Sequence, residues 1–139
     1  MKKTKIPKVV LDTNIFVSAL FNKESSSFKI FKMAKEGKIK ILWSSLIKKE
    51  IQTILDNLPF SKKRKREFLS LLKKENKVFP KKRLNLIKED PEDNKFLECA
   101  FFGKANFILT HDFHLLSIKN FKNIKIIKPK EFIKIYGRV

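Results

Sequence analysis

The chain has 139 residues, 42% of them hydrophobic and 14 of them Phe, enough to bury the core of one domain and to exclude global disorder. Lys and Arg number 33 against 14 Asp and Glu, a formal net charge of +19 spread along the chain, which favours a polyanionic partner, nucleic acid before a membrane surface. A single Cys, Cys99, excludes a disulfide framework and a cysteine-based zinc site, and the lack of an apolar leader or membrane-length apolar run points to the cytoplasm.

Short β-rich runs alternate with helical patterns, with no repeat or linker between them, which predicts a single domain over 1–139 of α/β class with a mainly parallel sheet. The first strand is Lys8–Leu11. A short helix follows from about Asn14 to Phe21 and another from Ser27 to Glu36, ended by Gly37 as a left-handed cap. Ile39–Trp43 is the second strand. Ser44 or Ser45 caps a helix whose stripe is Ile47, Ile51, Ile54, Leu55 and Leu58, and Pro59 ends it.

Ser61 starts a helix that opens with Lys62-Lys63-Arg64-Lys65-Arg66 and turns apolar at Phe68, Leu69, Leu71 and Leu72. After Val78-Phe79 and a basic loop, Asp90-Pro91-Glu92-Asp93 reads as the start of a helix reaching Phe102 or Gly103, with Asp90 as cap and Pro91 in first position. Phe107–Thr110 and Ile124–Ile127 are strands, and Pro129 opens a last helix through Tyr136. Cys99, Trp43 and Phe101 are core candidates.

Among the five aspartates, Asp12 and Asp112 stand at or just beyond the carboxyl ends of predicted parallel strands, where open α/β sheets hold ligands. Glu50 lies on the apolar side of its helix, three residues after Ile47 and four before Ile54. That is unusual for Glu unless it is paired with a lysine or binds a cation. Asp93 shares a face with Phe96, Leu97 and Ala100, which favours function, whereas for Asp90 the capping reading is favoured. Two carboxylates about 4 Å apart repel by about 4 kcal/mol at an effective dielectric near 20. Converging acids therefore need protons or divalent cations, and an all-oxygen set suits one or two Mg²⁺ or Mn²⁺ ions.

The segment Val9-Val10-Leu11-Asp12-Thr13-Asn14-Ile15-Phe16 closely resembles the opening motif of PIN-domain ribonucleases. Three stretches match in order: Ser45–Ile51, Asp90–Ala100 and Ile108–Leu116, and Ile126–Phe132 is similar to the family's closing strand, proline and helix. The resemblance covers about residues 9 to 135 and implies a three-layer α/β/α fold with a sheet of about four to five strands. It further implies a Mg²⁺- or Mn²⁺-dependent endoribonuclease, often a homodimer. Carried over residue by residue, the catalytic and metal-holding acids are Asp12, Glu50, Asp93 and Asp112, with Asp90 as a fifth. Asn14 and Thr110 are supporting polar residues. Many similar chains are toxins of toxin–antitoxin pairs (VapC-like), which would make a separate antitoxin protein a partner beside RNA.

This sequence departs from the family pattern at His111, where many relatives have Gly, and at His114, where Asp is frequent. Polar surroundings favour solvated loop histidines for both. The exposed start of the basic helix is the candidate RNA contact through Lys63, Arg64 and Arg66, with antitoxin docking, or no role for the charge, as competing readings. The ratio of 29 Lys to 4 Arg also fits a compositional habit, because Arg is the usual choice for specific phosphate contacts. Two other functions stand beside the leading one: a non-catalytic RNA- or protein-binding module on the same fold, and a metal-independent ribonuclease using His111 and His114.

Overall fold

Val9, Val10 and Leu11 are all buried, as a parallel strand covered on both faces requires. The computed structural model describes residues 5–88 and 90–137; Met1–Thr4, part of the segment read for a leader, lie outside the described residues. Five strands, β1 (Lys8–Leu11), β2 (Lys40–Leu42), β3 (Phe107–Leu109), β4 (Asn120–Phe121) and β5 (Ile124–Ile127), form one sheet in the order β2-β1-β3-β5-β4. All pairings are parallel except β4 with β5. Val10 pairs with Leu42 on one side and Ile108 on the other. The chain thus leaves β1 for β2 in one direction and returns to β3 in the other. That reversal opens a crevice at the carboxyl ends of β1 and β3.

The helices are α1 (Thr13–Phe21), α2 (Ser26–Lys35), α3 (Ser45–Asp56), α4 (Lys62–Leu69), α5 (Asn94–Gly103), α6 (Phe113–Leu116) and α7 (Pro129–Tyr136). Ser25, Ser44 and Ser61 cap α2, α3 and α4 by accepting from the backbone N–H three residues on. α5 lies against β1, β2 and β3, while α2 packs on α1 and α7, giving three α/β/α layers. Edge-to-face rings knit the core: Phe16 to Phe31 at 4.6 Å, Phe31 to Phe68 at 5.1 Å, and Phe107 to Phe132 at 5.3 Å. Gly37 takes the left-handed φ of 77° expected of it.

The differences from the sequence reading have local causes. α3 ends at Asp56 and α4 at Leu69, so Leu58, Leu71 and Leu72 pack from the turns beyond rather than from helix faces. α5 starts at Asn94, after a 3₁₀ turn over Pro91–Asp93, and ends at Gly103 as expected, with Lys104 as the left-handed cap at φ 56°. A Cβ on Gly103 would come within 2.7 Å of Val78 and 2.9 Å of Leu42 side chains, so close packing explains the glycine there. β4 was not expected; it meets β5 through Lys122 and Asn123, both at positive φ, the geometry of a tight two-residue hairpin. Trp43 is buried and its Nε1 donates to the Lys73 carbonyl at 2.8 Å. Phe101, however, is 38% exposed, against Phe102 and Phe121. Burial pushes the Cys99 thiol up to about 12, consistent with packing rather than nucleophilic chemistry. Among the described residues no helix is long and apolar enough to cross a membrane.

Candidate active site

Asp12 leaves β1 as the N-cap of α1 and is buried at 5% exposure. Its Oδ1 accepts from the Asn14 N–H at 3.3 Å and its Oδ2 from the Thr110 hydroxyl at 2.7 Å. Thr110, fully buried just past β3, also accepts from the Asp112 N–H at 2.9 Å. One hydroxyl thereby joins the ends of the two strands that flank the crevice. Asp112 caps α6, its Oδ2 accepting from the Leu115 N–H at 3.1 Å.

Asp90 and Asp93 approach from the start of α5. Buried Asn94 accepts from the Leu86 and Ile87 N–H groups and donates to the Ile87 and Pro91 carbonyls. Buried Glu98 accepts from the Leu84 N–H at 2.8 Å and Arg83 Nε at 3.0 Å. These bonds fold the basic loop back onto α5 and fix the chain that leads into Asp90. The capping expectation for Asp90 holds for its position, at the N-cap ahead of Pro91, but not for its side chain. Pro91–Asp93 is a 3₁₀ turn, Asp90 makes no side-chain cap bond, and its carboxylate turns to the other acids instead. One ligand atom from each of Asp90, Asp93, Asp112 and His114 lies within 4.8 Å of the others. Asp90→Ser should therefore leave the unfolding free energy of the metal-free protein within about 0.5 kcal/mol of wild type, as read by urea unfolding. It should nevertheless weaken Mn²⁺ binding by calorimetry.

The electrostatics of this group are unfavourable as the side chains stand. Burial, then the Asp112 carboxyl and the charges of Asp112, Asp90 and Asp12, push the Asp93 carboxyl up to about 8. Burial also raises Asp12, against the opposing pull of its bonds from Thr110 and the Asn14 N–H, with Asp112 and Glu50 adding to the rise. Asp93 Oδ2 and His114 Nδ1 are buried without a hydrogen-bond partner. Three carboxylates and an imidazole, two of these groups with an orphaned ligand atom, suit a divalent cation.

Glu50 stands beside this group rather than in it. Its Oε1 accepts from the Thr13 hydroxyl at 2.6 Å and its Oε2 pairs with Lys95 Nζ. Lys95 is 5% exposed and also donates to the Glu92 carbonyl at 2.7 Å. The lysine-paired alternative for Glu50 is thus realised, yet Glu50 remains near enough to raise Asp12.

Thr110 bonds both strand-end acids, but Asn14 reaches Asp12 through its backbone N–H, its side chain being exposed. His111 is exposed, whereas His114 is half-buried with Nδ1 4.0 Å from Asp112 Oδ2. His114 is thus still 40% exposed, as expected of a solvated side chain, but it lies on α6 rather than in a loop and its Nδ1 is buried. On α4, Lys63 and Arg66 are exposed. Arg64 is held in place: its Nη2 donates to the Leu20 carbonyl at 3.0 Å and its guanidinium lies over Phe60 and Phe68.

Sequence reasoning did not single out Thr13 or Lys95. Thr13 adjoins Asp12, and Lys95 is a cation beside the acidic run Asp90–Asp93, a weak but legible signal.

A family model described as "PIN domain" matches residues 8–114. An uncharacterized protein of Methanocaldococcus jannaschii is 34% identical over 152 aligned residues, covering 99% of this chain and 96% of its own length.

Proposed function

The chain belongs to the PIN-domain family, whose members are generally nucleases, and from that premise we propose that it is a Mg²⁺- or Mn²⁺-dependent endoribonuclease. The observation that carries this reading is the crowding of Asp90, Asp93 and Asp112, with a buried unpaired oxygen on Asp93, inside a chain of net charge +19. Such a group is poorly balanced without a cation, and the surrounding charge suits a polyanion.

Asp90, Asp93 and Asp112 would hold the cation. Bound there, a divalent ion supplies an activated water and neutralises charge developing on the phosphate. Asp12, fixed by Thr110 and the Asn14 N–H, keeps Asp112 in register across the crevice and adds negative field. Glu50, oriented by Thr13 and Lys95, stands beside this group and adds to the negative field that a cation would balance. The proposed biological role is that of a toxin in the cytoplasm, acting on RNA as a homodimer and restrained by an antitoxin protein. The family resemblance supports that role, and the basic surface suits an acidic antitoxin segment.

The test is cleavage of total cellular RNA by protein stripped with EDTA. Cleavage should be absent after stripping and return with Mn²⁺ or Mg²⁺. Cleavage that survives EDTA would overturn the metal-dependent reading, and binding without any cleavage would favour the non-catalytic module. For substrate contact, α4 offers Lys63 and Arg66, with Arg64 already engaged in packing. Lys63→Gln with Arg66→Gln should weaken binding of single-stranded RNA regardless of sequence and flatten the log–log salt dependence by roughly 0.7 per lost contact. The slope is read from binding titrations at several salt concentrations.

A further inference from the structure

We propose that His114 supplies a nitrogen ligand, through Nδ1, to the cation held by Asp90, Asp93 and Asp112, and that this tunes the centre to Mn²⁺ over Mg²⁺. The inference rests on the metal-dependent reading above and specifies which cation that centre prefers. His114 Nδ1 is buried and has no hydrogen-bond partner. Its 4.0 Å separation from Asp112 Oδ2 is too long for a hydrogen bond, so neither atom satisfies the other. Both residues nevertheless belong to the set of four in which one ligand atom from each lies within 4.8 Å of the others. Bonds of about 2.1–2.3 Å place opposed donors about 4.2–4.6 Å apart around one cation, so the set needs only small adjustments to close.

The local fold explains why the imidazole is there. α6 has four residues and begins at the Asp112 cap, so His114 follows its neighbouring ligand by two positions. Leu115 is fully buried and its N–H is tied to Asp112 Oδ2 at 3.1 Å. The His114 carbonyl accepts from the Ser117 hydroxyl at 3.0 Å. The turn is therefore anchored on both sides of the ring. An imidazole is a softer donor than a carboxylate or water; Mg²⁺ prefers oxygen and keeps its waters, so replacing one oxygen donor by nitrogen penalises Mg²⁺ more than Mn²⁺, the first of the transition-metal series.

Two measurements on the full chain test the proposal. Pulsed electron paramagnetic resonance of the Mn²⁺-loaded protein should show coupling to a ¹⁴N nucleus, and His114→Asp should remove it. His111→Asn should leave it in place. Calorimetric competition should show the Mn²⁺-to-Mg²⁺ affinity ratio falling about tenfold in His114→Asp, the lower end of losses seen when a metal site's partners are altered. The wild-type spectrum needs no variant to fold. Bound Mn²⁺ without ¹⁴N coupling, or coupling that persists in His114→Asp, would overturn the assignment and leave the carboxylate centre standing. Failure of the wild-type chain to bind Mn²⁺ would instead overturn both the assignment and the metal reading beneath it.

Discussion

Asp93→Asn and Asp112→Asn should each lower the cleavage rate by about three orders of magnitude, and Asp93→Asn should make the metal-free protein more stable at pH 8. The first effect is the expected loss of a cation's charge stabilisation, several kcal/mol at about 1.4 kcal/mol per tenfold. The second follows from linkage. The Asp93 carboxyl has an ordinary value of 3.8 and is pushed up to about 8 in the fold, first by burial and then by Asp112 and the neighbouring acids. Between those values the folded chain holds a proton that the unfolded chain releases. Its contribution to stability is therefore complete below about pH 4 and is lost as the pH rises through about 8. Asp12 is raised too and acts in the same direction. Metal-free protein should melt at a higher temperature at pH 5 than at pH 8, and Asn at position 93 should flatten that dependence. Mn²⁺ should raise the melting temperature of the wild type most at pH 8, because it binds the deprotonated acids of the folded state. Thermal melts at the two pH values, with EDTA and with Mn²⁺, read all of these outcomes.

Glu50→Gln should behave differently, losing activity and stability together. Its carboxylate pairs with Lys95, which is 5% exposed, so the substitution leaves a buried ammonium facing a neutral amide. Removing one partner of a fully buried pair costs about 3–5 kcal/mol. Glu50 is itself 32% exposed and the Glu92 carboxylate remains 3.6 Å from Lys95 Nζ. A cost of about 2 kcal/mol is accordingly expected. Lys95→Met removes the buried charge, and the double variant Glu50→Gln, Lys95→Met should recover part of the loss. Urea unfolding of the two single variants and the double variant gives the coupling directly. A Glu50→Gln protein as stable as the wild type would show that Lys95 does not depend on this partner.

These two acids also show how far the site could be read from sequence. Asp12 and Asp112 were visible because both follow apolar runs that read as parallel strands, although each also caps the helix that comes next. Asp90 was open to two readings because a helix cap and a cation ligand both place Asp ahead of Pro91, and the lack of a side-chain cap bond appears only in the folded geometry. The apolar-side placement of Glu50 marked it as paired or functional, but its partner Lys95 lies 45 positions along the chain, beyond the reach of any local pattern. His114 was read as solvated because its distance from Asp112 depends on a helix of four residues, too short to leave a periodic signature. The same limit applies to the fold. β1, β2, β3 and β5 are apolar runs, whereas β4 has two residues and a Lys-Asn turn without the glycine that usually announces a hairpin.

In the proposed reaction the acidic crevice directs water, rather than the RNA's own 2′-hydroxyl, at the phosphodiester. Analysis of the ends formed from a single-stranded RNA separates the two. With Mn²⁺ present, cleavage should leave a phosphate monoester on one fragment and a hydroxyl on the other, with no 2′,3′-cyclic phosphate, and Asp93→Asn should abolish it. Cyclic phosphate ends formed in EDTA would contradict the account and point instead to acid–base chemistry at His111 and His114.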